Sequence, residues 1–357
     1  MSSPVVTISG ATALAGEGLT PIPDAVVVIE GGRIAQLGAA AEVAIPPDAD
    51  RIDASGLTLL PGFIDAHVHI AFSDPAAVAR AGVTTVRDLG WPADEIFPLA
   101  QRSASDDFPG ARVIAAGTML TAPGGYPTQA GWAPDGTGTE VRELDDARDA
   151  VQANVARGAT VIKIALNPPA GPVLPAELVR AIVEAAHVAG LKVTGHIHGL
   201  AELDKALDAD IDELAHMLMS SERIPAATVE RMVAQEVTVV PTLAIRTGSD
   251  RLIAIDNLRR FREQGGRVVY GTDLGNEGPR AGIDRTEIRA MTEAEMTPLD
   301  IVRSATVDAA AWLGLEGTGV LAQGARADVI GVRGDPGASA RALTEVELVI
   351  RGGRRLR

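Results

Sequence analysis

Short apolar runs alternate with amphipathic segments through the middle of the chain. Apolar positions at helical spacing predict helices over 145–156 and 177–189. Compact apolar runs typical of buried strands occupy 160–165, 191–194, 211–215, 237–240 and 268–270. This alternation predicts an α/β fold with a parallel sheet. Because strands this apolar are covered on both faces, the pattern allows a closed barrel or an open doubly wound sheet.

The two ends of the chain share a different pattern, a β-rich apolar run followed by Gly-Gly. The runs lie at 28–33 and 349–354. Gly-Gly permits the positive φ angles of a hairpin turn. Together with the apolar segments 57–60 and 327–332, these runs predict one small β domain built from both termini. Two unrelated hairpins are the alternative.

A long segment without helical or strand periodicity lies at 121–139 and is rich in Gly, Pro, Thr and Ala. A loop of this length inside a compact domain is more often functional than a linker. We expect it to cover the mouth of a site.

Composition limits the class of partner. The chain has 357 residues, of which 46% are hydrophobic and 22% charged, as in an ordinary globular protein. A net charge of −15 argues against nucleic acid or an anionic membrane surface and favours a small-molecule substrate. The first residues lack the pattern of a secretory leader, and no apolar run is long enough to span a membrane. We therefore expect a cytoplasmic protein.

Metal-binding residue types are concentrated at the ends of the apolar runs. Histidine is scarce, with six in the chain, yet five of the six lie at such ends, and an aspartate closes the series. These residues are His67, His69, His196, His198, His216 and Asp273. His67 and His69 alternate along one run, so both side chains project to the same side of a strand. Imidazoles and a carboxylate from separate strand ends are typical of a transition-metal site. The absence of cysteine excludes thiolate ligands and leaves His, Asp, Glu or a modified Lys.

A single lysine, Lys163, lies inside the apolar run 160–165. Burial disfavours the ammonium form, lowers the pKa of the amine and leaves it free to react. The alternative is a lysine whose charged end reaches solvent.

The segment Pro61-Gly62-Phe63-Ile64-Asp65-Ala66-His67-Val68-His69 resembles the opening strand of the amidohydrolase superfamily of metal-dependent hydrolases. Segments 82–88, 241–243, 271–273 and 317–329 also resemble family segments. The resemblance spans nearly the whole chain, on the prolidase-like and imidazolonepropionase-like branch. It implies a (β/α)8 TIM-like barrel over 58–315, with a composite β-sandwich domain formed by 1–57 and 316–357.

The resemblance also implies a site with two divalent metal ions, Zn²⁺ being favoured. The ligands it implies are His67, His69, Lys163, His196, His216 and Asp273, with Lys163 carboxylated and bridging both ions. A water whose pKa falls from 15.7 toward about 7 attacks an amide, cyclic amide or ester, and Asp273 carries the proton to the leaving group.

Residues that contact substrate are harder to identify. Tyr126 occupies a position where relatives often have histidine, so it is a candidate oxyanion donor or an aromatic pocket wall. His198 is a candidate for substrate contact or for orienting a ligand, with simple packing as the alternative. Thr242 and Asn276 are further pocket candidates.

Two other functions remain open. A mononuclear heterocycle deaminase shares the histidines and the aspartate but ordinarily lacks the bridging lysine and has a glutamate beside the strand-five histidine. An inactive scaffold relative typically loses metal ligands, and all six are present here. Family members are commonly homo-oligomers, although nothing in the sequence specifies an interface.

Overall fold

The computed structural model describes residues 5–357. Residues 1–4 lie outside the described residues. The expected composite domain begins there, and so does the stretch considered as a leader. In chain order the strands are β1 Val6–Ala15, β2 Thr20–Glu30, β3 Arg33–Ala39, β4 Asp50–Asp53, β5 Leu57–Pro61, β6 Phe63–Val68, β7 Val83–Asp88, β8 Arg112–Ala115, β9 Met119–Thr121, β10 Gly138–Glu140, β11 Ile162–Leu166, β12 Val193–Ile197, β13 Glu213–Leu214, β14 Thr238–Val239, β15 Arg267–Val268, β16 Val329–Arg333, β17 Val346–Arg351 and β18 Arg354–Arg355. The α-helices are α1 Pro75–Arg80, α2 Ala93–Ser103, α3 Leu144–Ala156, α4 Ala176–Val188, α5 Leu200–Asp208, α6 Ala226–Ala234, α7 Gly248–Glu263, α8 Arg285–Glu293, α9 Pro298–Ala305 and α10 Val307–Leu313.

Strands from both ends of the chain join one sheet. Its order is β18-β17-β16-β5-β1-β2-β3, with β4 paired to β1. The pairs β2–β3 and β17–β18 are antiparallel hairpins, and all four turn glycines have positive φ. The predicted hairpins and the meeting of both termini in one β unit are therefore confirmed. The sandwich arrangement and its boundaries stay predictions.

The middle of the chain forms parallel strands separated by helices, as the alternating pattern predicts. One sheet has the order β10-β9-β11-β12-β13-β14-β15, and a second has the order β6-β7-β8. All neighbouring pairs in these two sheets are parallel. Strands β13, β14 and β15 are shorter than the apolar runs that predict them, because ladder pairing covers only part of each run. The α/β class is confirmed.

Hydrogen bonds also connect the two parallel sheets. The amide of Ala66 donates to the carbonyl of Tyr270 at 2.9 Å, and the amide of Asp273 donates to the carbonyl of His67 at 2.8 Å. At the other edge, the amide of Thr160 donates to the carbonyl of Ala115 at 3.0 Å. The carboxyl ends of β6 and β15 therefore lie next to each other, although they are distant in sequence.

A buried ion pair joins strands that are not neighbours in either sheet. Arg87 in β7 lies 2.5 Å from Glu213 in β13, and both side chains are almost fully buried. Thr194 and the Trp312 indole also donate to the Glu213 carboxylate, at 2.6 and 2.5 Å. The Arg87 Nε donates to the carbonyl of Ala66. The pair thus fixes β6, β7, β12 and β13 relative to one another.

A search of residues 5–357 finds no helix long and apolar enough to cross a membrane.

Replacement of Glu213 by alanine should destabilise the protein strongly. Arg87 would keep its charge in the interior without a partner, and breaking a buried pair costs about 3–5 kcal/mol. The measurement is the urea unfolding midpoint. Glu347→Ala is the control, because its ion pair with Arg333 is solvent-exposed and should contribute little. Equal midpoints for Glu213→Ala and the wild type would contradict this account of the interior.

Candidate metal centre

The predicted ligands come together at the carboxyl ends of the parallel strands. His67 is the penultimate residue of β6, and His69 follows that strand. Lys163 lies in β11 and His196 in β12, while His216 and Asp273 follow β13 and β15. In the β11–β12 register, Ala165 is level with His196, so Lys163 starts two residues lower. Two residues rise about 6.6 Å along a strand, a distance that the long lysine side chain can span. The Lys163 side chain accordingly lines the same cavity as the imidazoles.

His67, His69 and Asp273 form one group of candidate ligands. The Nε2 atoms of His67 and His69 lie 3.3 and 3.4 Å from Oδ1 of Asp273. On the far side of each ring, Nδ1 faces a backbone carbonyl, that of Ala215 at 2.7 Å and that of Gly90 at 3.1 Å. A carbonyl only accepts, so each Nδ1 carries the proton and each Nε2 presents a lone pair to Asp273.

His196 and His216 form a second group. Nδ1 of His196 lies 3.0 Å from Nε2 of His216. The other nitrogen of His216 contacts the Thr242 hydroxyl at 2.8 Å, and that of His196 contacts the Asn167 amide at 3.1 Å. Two imidazole nitrogens each about 2.0–2.1 Å from one zinc ion are separated by about 3 Å. The pair therefore has the spacing of two ligands to a single ion.

Lys163 and Asp273 provide two further buried atoms that point into the site. Among the described residues, neither Nζ of Lys163 nor Oδ1 of Asp273 has a hydrogen-bond partner. Burial lowers the pKa of Lys163 and raises that of Asp273. Buried polar groups are usually satisfied, and a bound ion is one of the standard explanations for exceptions. Oδ1 of Asp273 faces the Nε2 lone pairs of His67 and His69 with no hydrogen between them, and this arrangement fits a cation at this position.

The histidines are held in the form that binds metals. Burial, assisted by the nearby Lys163, lowers the pKa of His69 to about 4. Burial also lowers the pKa values of His67, His196 and His216 well below the ordinary range. Neutral imidazole is the form that donates a lone pair to a metal.

Asp65 positions Asp273, a role that the sequence did not reveal. Its carboxylate accepts hydrogen bonds from the Thr272 hydroxyl at 2.6 Å, from the Thr272 amide at 3.1 Å and from the His67 amide at 3.1 Å. Burial raises the pKa of Asp65 to about 7. Asp273 has φ of +60°, an unusual backbone conformation for aspartate. The Asp65 contacts hold this turn and thereby aim the Asp273 side chain at the histidines.

The ligands surround a cavity of about 190 Å³. Tyr126 and Asn276, both predicted to contact substrate, line it. The lining residues that the sequence did not single out are Met119, Asn167, Met219 and Ile245.

Two predicted pocket residues do not line this cavity. Thr242 is buried and contacts the back of His216, so it orients that ring. His198 follows β12, where its amide donates to the carbonyl of Leu166. Their proposed contacts with substrate stay predictions.

The loop at 121–139 brings two aromatic rings to the site. Tyr126 packs on His196 with ring centroids 4.8 Å apart, and Trp132 packs on His69 at 5.0 Å. Burial and the Asp273 carboxylate raise the pKa of Tyr126, so the phenol keeps its proton at neutral pH. The loop thus contributes to the site, and that it covers the mouth stays a prediction. Trp132 was missed because an isolated tryptophan in an aperiodic loop carries no positional signal.

Comparison with known proteins gives a consistent picture. Residues 58–356 match the model of the Amidohydrolase family. Enamidase of Eubacterium barkeri is 28% identical over 326 residues, which cover 85% of this chain and 80% of that protein. The 5-methylthioadenosine/S-adenosylhomocysteine deaminase of Symbiobacterium thermophilum is 25% identical over 380 residues, which cover 91% and 84%.

A solved structure agrees over nearly the full length. The crystal structure of a Xaa-Pro dipeptidase with bound methionine superposes with a TM-score of 0.83 at 24% identity, covering 98% of this chain and 99% of that one. At this identity the likeness concerns the fold alone, which is of the TIM-barrel-like α/β type. Because the family match extends over most of its length, the chain belongs to the amidohydrolase family.

Proposed function

We propose that this chain is a hydrolase with two divalent metal ions, Zn²⁺ being favoured, that cleaves the C–N bond of an amide or cyclic amide, or the C–O bond of a related ester. His67, His69 and Asp273 would hold one ion, and His196 and His216 the other. Lys163 would bridge the two ions as a carbamate. Its neutral amine adds to the carbon of CO₂, forming an N–C bond and releasing a proton.

One observation supports two ions rather than one. Two pairs of ligand nitrogens, from His67 with His69 and from His196 with His216, line the same cavity as the Lys163 amine, which has no hydrogen-bond partner among the described residues. A lone ammonium in the interior is costly, because burial favours its neutral form. A carbamate made from that amine has two oxygens, enough to reach one ion on each side.

The protein groups have distinct tasks in the reaction. The ions would supply Lewis-acid chemistry, polarising the substrate carbonyl and making water acidic enough to ionise near neutral pH. Asp273 takes the proton of the attacking water on its free carboxylate oxygen and delivers it to the leaving nitrogen or oxygen. Its position beside the ligand nitrogens of His67 and His69 lets it reach both the attacking water and the leaving group.

Tyr126 and Asn276 are the proposed substrate contacts. Both line the cavity, and both can donate a hydrogen bond to an oxygen of the substrate. His198 is proposed to assist from the edge of the site, and Thr242 acts through His216.

Deamination of a heterocycle with a single metal ion is the second candidate. The likeness to the Symbiobacterium deaminase favours it. Two features oppose it. One is the buried Lys163, and the other is that Asp273 is the only carboxylate among the described residues that line the cavity, whereas such deaminases ordinarily have a glutamate beside the strand-five histidine. Metal analysis separates the two functions, because a deaminase of this kind would bind one ion per chain.

The finer organisation is part of the proposal. We take the two linked parallel sheets as a closed (β/α)8 barrel over 58–315. The composite β-sandwich domain comprises 1–57 and 316–357. A cytoplasmic location and a homo-oligomeric state complete the proposal.

Lys163→Ala should remove one of two bound metal ions and lower kcat at least about 100-fold, since even the outer partners of a metal site cost 10–100-fold. Metal content per chain and turnover, measured after loading with zinc and bicarbonate, check this. Lys205→Ala is the control, because Lys205 instead forms an ion pair with Glu202 in α5. Two ions retained in Lys163→Ala would rule out the bridging carbamate.

Asp273→Asn should keep bound metal but lower kcat by roughly 10²–10⁴-fold, the usual contribution of a positioned proton carrier. An amide oxygen can still face the cation but cannot carry the proton. Metal analysis and single-turnover kinetics distinguish these effects. Asp107→Asn, at a side chain that is 93% exposed, is the control. Near-normal turnover in Asp273→Asn would exclude this residue as the proton carrier.

A further inference from the structure

Aromatic residues are scarce in this chain but concentrated at the metal centre. The chain has five Phe, three Trp and two Tyr. Four of these ten residues pack together beside the candidate ligands, and they come from three separate segments of the chain. They are Phe72, Trp91, Tyr126 and Trp132.

The four rings form a continuous wall, called here the aromatic wall. Trp132 is its centre, with ring centroids 6.0 Å from Tyr126 and 6.2 Å from Phe72. Phe72 in turn packs edge-on against Trp91 at 5.1 Å. Through Tyr126 and Trp132 the wall stands directly on His196 and His69, one imidazole from each ligand group. A molecule bound at the metal centre therefore has these rings beside it.

The wall is incompletely covered by the protein itself. Phe72 is 47% exposed, and it is the only aromatic among the large apolar side chains that are exposed within residues 5–357. The cavity of about 190 Å³ is small beside the roughly 300–1,000 Å³ of typical ligand pockets. A substrate too large for this volume extends beyond it, and the neighbouring rings offer apolar area.

The charges of the site disfavour a substrate with a free carboxylate. Within the part of the cavity lining that the structure describes, Lys163 is the only lysine or arginine. The nearby Arg246 is buried, and its Nη2 donates to the carbonyls of Met217 and Leu218 at 2.5 and 2.6 Å. The apolar side chains of Met119, Met219 and Ile245 complete the lining. No protein cation in this lining is left to pair with an anionic end of the substrate.

We infer that the natural substrate carries an aryl group close to the scissile bond and no free carboxylate, so that the aromatic wall stacks on a flat ring while the carbonyl faces the ligands. This inference rests on the proposed hydrolase function and names its substrate class as neutral aryl amides or esters. Trp132 is the main specificity residue. Offset or edge-to-face ring contacts of this kind contribute beyond simple apolar burial.

Binding and turnover of three probes test the inference on the zinc-loaded protein. The probes are acetanilide, which is aryl and neutral, N-butylacetamide, which is aliphatic and neutral, and N-acetylphenylalanine, which is aryl and anionic. Calorimetry gives each Kd, and product release gives kcat and KM. Trp132→Ala removes the central ring, and Phe108→Ala removes a ring outside the aromatic wall as a matched control.

Acetanilide should bind about tenfold more tightly than either other probe. Trp132→Ala should weaken acetanilide binding by about tenfold, weaken N-butylacetamide binding clearly less and leave zinc content intact, whereas Phe108→Ala should change none of these. Equal affinity for all probes, no measurable binding of acetanilide, tighter binding of N-acetylphenylalanine or insensitivity to Trp132→Ala would each overturn the aryl assignment. Selective acetanilide binding without hydrolysis of any amide or ester would uphold the aromatic wall and count against the hydrolase function alone.

Discussion

The Lys163 amine is enclosed in the protein interior beside four imidazoles and a carboxylate, and the described residues give it no hydrogen-bond partner. Leaving a buried charge unpaired is among the most costly arrangements in a folded protein. The chain has 29 arginines but three lysines, and it places at this position the basic side chain that can lose its proton. The same burial keeps the four histidines neutral and raises the pKa of Asp273, so that the ligand atoms face one another without a charge among the imidazoles.

The rest of the fold holds these groups in place. Backbone carbonyls fix the proton on the outer nitrogen of His67 and His69, which leaves the inner nitrogen free to bind, and Thr242 orients the His216 ring. Asp65 holds the turn that carries Asp273, and the Arg87–Glu213 pair joins the strands beneath. Rigid strand ends position the ligands, while the loop at 121–139 supplies Tyr126 and Trp132. Such a division lets loops vary substrate preference over a constant metal centre.

Much of this could be predicted from the sequence because strands impose regular spacing. His67 lies on β6 and His69 directly follows it, and Lys163 interrupts an apolar run, so both patterns point to ligands on strands or at their ends. The hairpins at Gly31-Gly32 and Gly352-Gly353 likewise follow from local turn chemistry. The position of Thr242 behind His216 could not be predicted, since it depends on the left-handed backbone conformation of Thr242 itself after β14.

The missed residues share a physical reason. Asp65 lies inside a quoted motif, but its bond to Thr272 links residues 207 apart in sequence. The aromatic wall is assembled from three separate segments, and only the folded chain brings its rings together. Contacts between distant loops leave no periodic signal in a single sequence.

Labelling of the lysine carbamate tests the central claim most directly. The metal-free protein would be reconstituted with zinc and ¹³C-bicarbonate and then studied by ¹³C NMR alongside metal analysis. The two-ion account predicts one protein-bound carbamate carbon and two zinc ions per chain, with both signals lost together on chelation. Two zinc ions in an active protein without a bound labelled carbon would contradict the bridging role of Lys163, and a single zinc ion would contradict the two-metal centre itself.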